Sequence, residues 1–343
     1  MKQAMPEIVG NETLRQRLIN DVLHGSLSHA YIIEGSSGSG RKTLALNIAA
    51  ALACENRHSD LHSLPCMKCN SCRRIFERKT PDVIFVKDES RVTVGVDVIR
   101  SICETVRIVP NDFDDKFYII ENADKMTPEA QNAFLLTLEE PPAFVHFFLI
   151  CNSADYFLDT VRSRSITLRM QRLTDAQIKD FICANDTRAS QMNLSSPSEL
   201  AEIIKASHGG IGQALAFLDR DTWQPIHERR ELIRSFLKKA VSSASASETV
   251  SLLLKFSSKR DMLCEELSLL ATATRDLIAV KNADSPRLEF YCDANEAIEL
   301  SDKTSLSYLY KLYESIDTAI CESEKNANVR LMMIKLAMNA SLL

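Results

Sequence analysis

The sequence predicts an α/β domain built on a parallel sheet, followed by an all-α region. Three observations predict it. Short apolar runs that read as strands recur in the first half, at AYIIEG from residue 30, DVIFV (82–86), KFYIIE (116–121) and HFFLIC (146–151). Segments with apolar residues at helical spacing lie between them, and such alternation calls for parallel strands joined by crossover helices. The first strand empties into a glycine-rich stretch, GSSGSGRKT (35–43).

The elements follow in order. Residues 12–24, ETLRQRLINDVLH, form a helix ahead of the first strand. KTLALNIAAALAC continues from the glycine turn as an alanine- and leucine-rich helix. That succession of strand, loop and helix favours a phosphate-binding loop over an ordinary Gly/Ser turn. Further helices are expected around 95–107 and 128–140, and the α/β region runs to about Leu168. Beyond it, 173–184 and 197–218 read as short helices. Pro225, within DRDTWQPIHERR, marks a boundary. Residues 226–343 read as amphipathic helices, with SSASASE (242–248) as a loop or helix start.

Bulk properties narrow the function. A chain of 343 residues suggests two or three domains, and 45% hydrophobic residues suffice for a substantial core. The net charge of −5 argues against a strong unassisted grip on DNA phosphates. No stretch approaches the roughly 18–20 apolar residues of a membrane span, and MKQAMPEIVGNE lacks a signal-peptide core. A cytoplasmic protein with reduced thiols is expected. The ten cysteines should then be core thiols or metal ligands.

Four of them cluster. Cys54 ends the helix after the loop, and Cys66, Cys69 and Cys72 form a CxxCxxC run. Four thiolates suit tetrahedral Zn2+, in a structural site without an open position. His58 or His62 could replace one cysteine, and unmetallated thiols or an iron–sulfur cluster are alternatives.

The glycine loop is irregular. A phosphate loop needs Gly, four residues, Gly, Lys, then Ser or Thr. In the frame of Gly35, Gly38 and Gly40, Arg41 takes the lysine position and Lys42 the hydroxyl position. Shifting by one restores Lys42 and Thr43 but puts Ser36 and Arg41 on the glycine positions. Arginine is larger and forked where lysine is a point charge. Lys42 cannot ligate magnesium, and Thr43 lies roughly 100° further round the helix. The expectation is a nucleotide-binding fold with at most weak ATP or ADP binding.

NAFLLTLEEPP (132–142), TVRSRS (160–165) and NANVRLMMIKLAMN (326–339), with HAYIIEG and the cysteine knuckle, resemble the AAA+ clamp-loader subunits of bacterial DNA polymerase III across essentially the whole chain. The resemblance implies a RecA-like AAA+ domain at 1–168 with a zinc-binding insertion at 54–72, a helical lid at 169–224 and a helical collar at 225–343. It implies gamma/tau and delta subunits as partners, with a sliding clamp and primed DNA reached through the assembly.

The family contains an ATP-hydrolysing motor and a non-hydrolysing stator. Length favours the stator, because the long motor form carries a C-terminal extension. So do the site residues. The Asp-Glu pair of a motor reads Glu121-Asn122 here, and Asn122 cannot act as a general base. The lid arginine of a motor is matched by Gly212 in GGIGQAL (209–215). Asn152 and Ser153 are polar sensor candidates or strand-end turn residues.

Arg164 matches the arginine that this family points into the neighbouring subunit's ATP site, with Ser165 where the motif has Cys. Arg330 is expected to organise collar packing. Two other functions remain open: an active gamma/tau-type motor, and a zinc-stabilised adaptor that binds nucleic acid directly.

Overall fold

The computed structural model describes residues 3–5, 8–59, 63–86, 93–242, 246–283, 286–325 and 328–342. The chain divides into two compact units, Met1–Ile182 with Gly209–Gln213, and Cys183–His208 with Ala214–Leu343.

The first unit runs β1 (Gln3–Ala4), α1 (Glu12–His24), β2 (Ala30–Glu34), α2 (Arg41–Leu52), β3 (Ser63–Leu64), α3 (Asn70–Phe76) and β4 (Val83–Val86). It continues with α4 (Val96–Thr105), β5 (Lys116–Ile120), α5 (Pro128–Glu139), β6 (Val145–Cys151), α6 (Asp159–Arg162) and β7 (Ile166–Arg169). Five parallel strands form one sheet in the order β4-β5-β6-β2-β7. β2 lies between β6 and β7, with Ile32 opposite Leu149 and Thr167.

Strands β2, β5 and β6 read as near-continuous apolar runs because both faces are covered. Tyr31, Ile33, Phe117, Ile119, Phe148 and Ile150 pack with residues of α1 and α2. Ile32, Tyr118, Ile120, Phe147 and Leu149 point the other way, against α4 and α5. Asp82, just before β4, is buried, and its carboxylate accepts backbone N–H bonds from Asn111, Asp112 and Phe113 at 2.8, 2.6 and 3.0 Å. It thereby fixes the turn that leads into β5.

α7 (Asp175–Asn185) leads to the second unit, which contains α8 (Thr187–Ser195), α9 (Pro197–Ala206), the end of α10 (Ile211–Phe217), α11 (Arg220–Val241) and α12 (Ala246–Leu253). α13 (Arg260–Asn282), α14 (Ala294–Asp302), α15 (Leu306–Glu324) and α16 (Val329–Leu342) complete it. Its core is formed by Phe236, Leu267, Leu277, Phe290, Leu312, Met333 and their neighbours.

Helix α11 passes through Pro225 without a break. The buried face of Trp223, Arg230, Ile233 and Phe236 holds the helix together across the one backbone N–H that proline removes. The stretch 197–218, read as short helical structure, forms α9 and α10 separated at Ser207–Gly210, and α8 was not anticipated. Among the described residues, no helix is long and apolar enough to cross a membrane.

Candidate functional site

The loop from Gly35 to Gly40 joins β2 to α2, the position the sequence predicts. Gly38 (φ +72°) and Gly40 (φ +90°) adopt left-handed backbone that side chains disfavour. Ser39 N–H closes a turn on the Ser36 carbonyl at 3.2 Å. The hydroxyls of Ser36 and Ser39 are buried and have no hydrogen-bond partner.

The two cations after the loop are both engaged. Lys42 Nζ lies 2.5 Å from Glu121 Oε2, and Glu121 is only 8% exposed. Glu121 stands at the end of β5, where a motor would place its magnesium carboxylate. An ammonium therefore occupies the carboxylate that a metal ion would need, and its positive charge opposes a divalent cation nearby. Arg41 donates from Nη1 to the Cys151 carbonyl and to Asn152 Oδ1, the latter at 3.1 Å. Burial pulls the Arg41 pKa down, while Asp124 works against that shift.

Asn152 is in turn held by Asp124, whose Oδ2 accepts from the Asn152 backbone N–H at 3.1 Å and from Nδ2 at 3.0 Å. Asp124 was not singled out from sequence, although it lies in the same turn as Asn122. Asn122 itself sits in left-handed backbone (φ 50°) as the cap of that turn. Ser153 accepts from the Asp155 N–H and is a turn residue. The Thr43 carbonyl accepts from Asn47 Nδ2 at 2.8 Å.

The GGIG segment rests on the loop. Gly212 N–H donates to the Gly38 carbonyl at 3.0 Å. A Cβ on Gly38 would stand 2.5 Å from the Gln213 nitrogen, and one on Gly210 would collide with the Ser37 carbonyl oxygen. Only glycines allow two backbones to approach this closely. Gly212 was expected as a missing arginine; its position also brings the 209–213 segment into direct contact with the loop. Gly210→Ala is expected to push the segment off and destabilise the first unit by about 1–3 kcal/mol, read as a lower midpoint in chemical denaturation.

The second cluster is the predicted cysteine knuckle. The sulfurs of Cys54, Cys66, Cys69 and Cys72 all lie within 4.8 Å of one another. All four residues are buried. Cys69 caps α3, with its Sγ accepting the Cys72 N–H at 3.4 Å, and Cys66 Sγ accepts the Cys69 N–H at 3.4 Å. Asn56 Nδ2 adds a contact to Cys66 Sγ at 3.5 Å.

A hydrogen bond shared with Cys72 pulls the Cys54 thiol down to about 5, and the same bond, with burial, pushes Cys72 up. Four buried thiols cannot all ionise without a compensating cation, so the donor set fits a metal ion of thiolate preference. His58 is exposed and outside the cluster; His62 lies outside the described residues. Of the other cysteines, Cys151 is a core thiol pushed up to about 12 by burial. Cys292 and Cys321 are exposed, which corrects the expectation that all the others are core thiols.

Arg164 follows α6. Its Nη2 lies 2.7 Å from Glu139 Oε1, and its Nη1 donates to the Thr160 carbonyl at 3.0 Å and to Ser163 Oγ at 3.2 Å. Arg162 pairs with Asp155 and Asp159, and Arg169 with Glu34. Glu139 is the last residue of α5, Glu140 its cap, and Pro141-Pro142 follow as expected. Arg330 is exposed on α16 and lines a groove of about 810 Å³ with Leu253, Phe256 and Met333.

The parallel sheet and the loop between β2 and α2 place the first unit among P-loop α/β proteins. Residues 10–174 match the family model described as "DNA polymerase III, delta subunit". Over 218 residues, 64% of this chain, it is 33% identical to DNA polymerase III subunit tau of Bacillus subtilis, covering 38% of that protein. Over 180 residues, 52% of this chain, it is 31% identical to subunit gamma of Buchnera aphidicola, covering 48% of it. Over 234 residues it is 29% identical to subunit delta' of Bacillus subtilis, covering 62% of this chain and 69% of that one. The match thus spans less than half the length of the first two relatives. Residues 10–174 thus carry the domain this family model describes, and the chain is similar to tau, gamma and delta' subunits of DNA polymerase III.

Proposed function

We propose that this chain is a delta-prime-type stator: an AAA+ subunit that does not hydrolyse ATP and supplies Arg164 in trans to a neighbouring gamma/tau-type ATPase. Its assembly, which includes a delta subunit, would load a sliding clamp on primed DNA. Residues 1–168 act as the RecA-like domain, 169–224 as the lid and 225–343 as the oligomerisation collar. The four-cysteine knuckle holds a structural Zn2+ that pins residues 54–72 to the end of α2.

The observation that carries the reading is the Lys42–Glu121 ion pair. A motor needs a cation on the phosphates, a hydroxyl and carboxylate on magnesium, and a base for water. Here the carboxylate is spent on Lys42, Arg41 on the end of β6, and Asn122 on a turn. The residues present do not fit a magnesium–nucleotide complex. The unpartnered Ser36 and Ser39 hydroxyls favour at most weak anion binding. In the neighbour's site, the Arg164 guanidinium would stabilise negative charge on the transferring phosphate while its own chain contributes no nucleotide chemistry.

The test is steady-state ATP turnover by the purified, zinc-loaded chain alone. We expect none above background, and no change in Lys42→Ala. Turnover that Lys42→Ala abolishes would make the chain a motor.

A further inference from the structure

We infer that Glu139 is a positioning residue for Arg164, holding its guanidinium in the orientation in which it meets the neighbouring subunit. The inference rests on the proposed role of Arg164 and adds a residue to it. Arg164 sits in a short turn after α6, where an arginine would otherwise sample many rotamers. Two of its guanidinium nitrogens are instead fixed from different directions. Nη1 is tied to its own turn through the Thr160 carbonyl and Ser163 Oγ. Nη2 is tied to Glu139, which comes from a different element, at 2.7 Å. A charge-assisted contact of this length is short and directional.

Neither group is deeply buried. The side chains of Arg164 and Glu139 are 35% and 44% exposed, so the pair is at the surface with the guanidinium still accessible. The contact therefore orders Arg164 without enclosing it. The end of α5 and the Arg164 turn thus meet through this ion pair. Pro141-Pro142 end α5 just beyond Glu139, so the carboxylate is presented from a fixed helix terminus.

An arginine ordered before it meets a phosphate loses less side-chain freedom in the transition state. Because Arg164 acts on charge that develops during transfer, the benefit falls on kcat and not on KM.

The experiment measures ATP turnover in a complex reconstituted with the tau-type ATPase of the same cell, comparing wild type, Glu139→Ala, Glu139→Gln, Arg164→Ala and the double variant. Glu139→Ala should lower kcat about two- to tenfold with KM unchanged, and Glu139→Gln, whose amide oxygen still accepts from Nη2, should lose less. In the Arg164→Ala background, Glu139→Ala should have no further effect; a structural role would add to it. Gel filtration confirms that each variant assembles. An unchanged or raised kcat in Glu139→Ala, while Arg164→Ala is impaired, overturns the positioning role alone. No loss in Arg164→Ala removes the role of Arg164 itself, and the inference with it.

Discussion

Arg164→Ala is expected to slow ATP hydrolysis at the neighbouring site of the reconstituted complex by at least about 10²-fold while leaving its assembly intact. Trans-acting arginines contribute about 10³–10⁵ in rate where they complete a phosphoryl-transfer site. An assembly with several active sites loses this contribution only at the one beside this chain. Assembly should survive because, among the described residues, the contacts of the Arg164 side chain are to Thr160, Ser163 and Glu139 of its own unit. Arg162→Ala is the control. It too removes a cation from this turn, but one committed to Asp155 and Asp159 of its own segment. Its turnover should match wild type.

Cys72→Ser is expected to take bound zinc from about one ion per chain to near zero and to destabilise the first unit by about 4 kcal/mol, the linkage stabilisation of a ligand held at a thousand times its Kd. Cys72 is fully buried and lies on α3, and its sulfur also faces the Ala50 carbonyl of α2 at 3.7 Å. The metal would join the loop-following helix α2 to the inserted segment at this point. Metal content by emission spectrometry and unfolding in guanidinium check both parts. Cys103→Ser, which alters a thiol bonded to Thr137 and the Ala133 carbonyl, should retain the metal. The knuckle carries no part of the phosphate chemistry, so the two predictions are independent.

Local chemistry made much of the chain legible. β2, the glycine loop and α2 were readable because the strand is an uninterrupted apolar run and the turn is rich in glycine. The knuckle was readable because metal-ligand spacing is a short-range property, and its four sulfurs do gather. β7 escaped as a separate strand: three of its four residues are exposed, so it carries no hydrophobic signature. α8 escaped because its composition is polar and only Ala189 is buried.

The candidate nucleotide site was legible as a set of replacements and illegible as a set of contacts. Lys42 was singled out for the magnesium it cannot ligate, and Glu121 for its place in the acidic pair of a motor. Their pairing bridges 79 positions and depends on how α2 sits beside the end of β5. The approach of Gly210 and Gly212 to Ser37 and Gly38 is likewise long-range. The run of three glycines at 209, 210 and 212 was its only trace, and it was read for a missing arginine and not for room. Glu139 falls at the end of the helix expected around 128–140, and its role as the counterion of Arg164 needed the fold.

The measurement that bears most directly on the stator reading is single-turnover ATP hydrolysis by the reconstituted complex, with this chain either wild type or Arg164→Ala. A complex that assembles, binds ATP as before and hydrolyses it at least about 10²-fold more slowly at one site is the predicted result. Identical hydrolysis traces from the two complexes would contradict it.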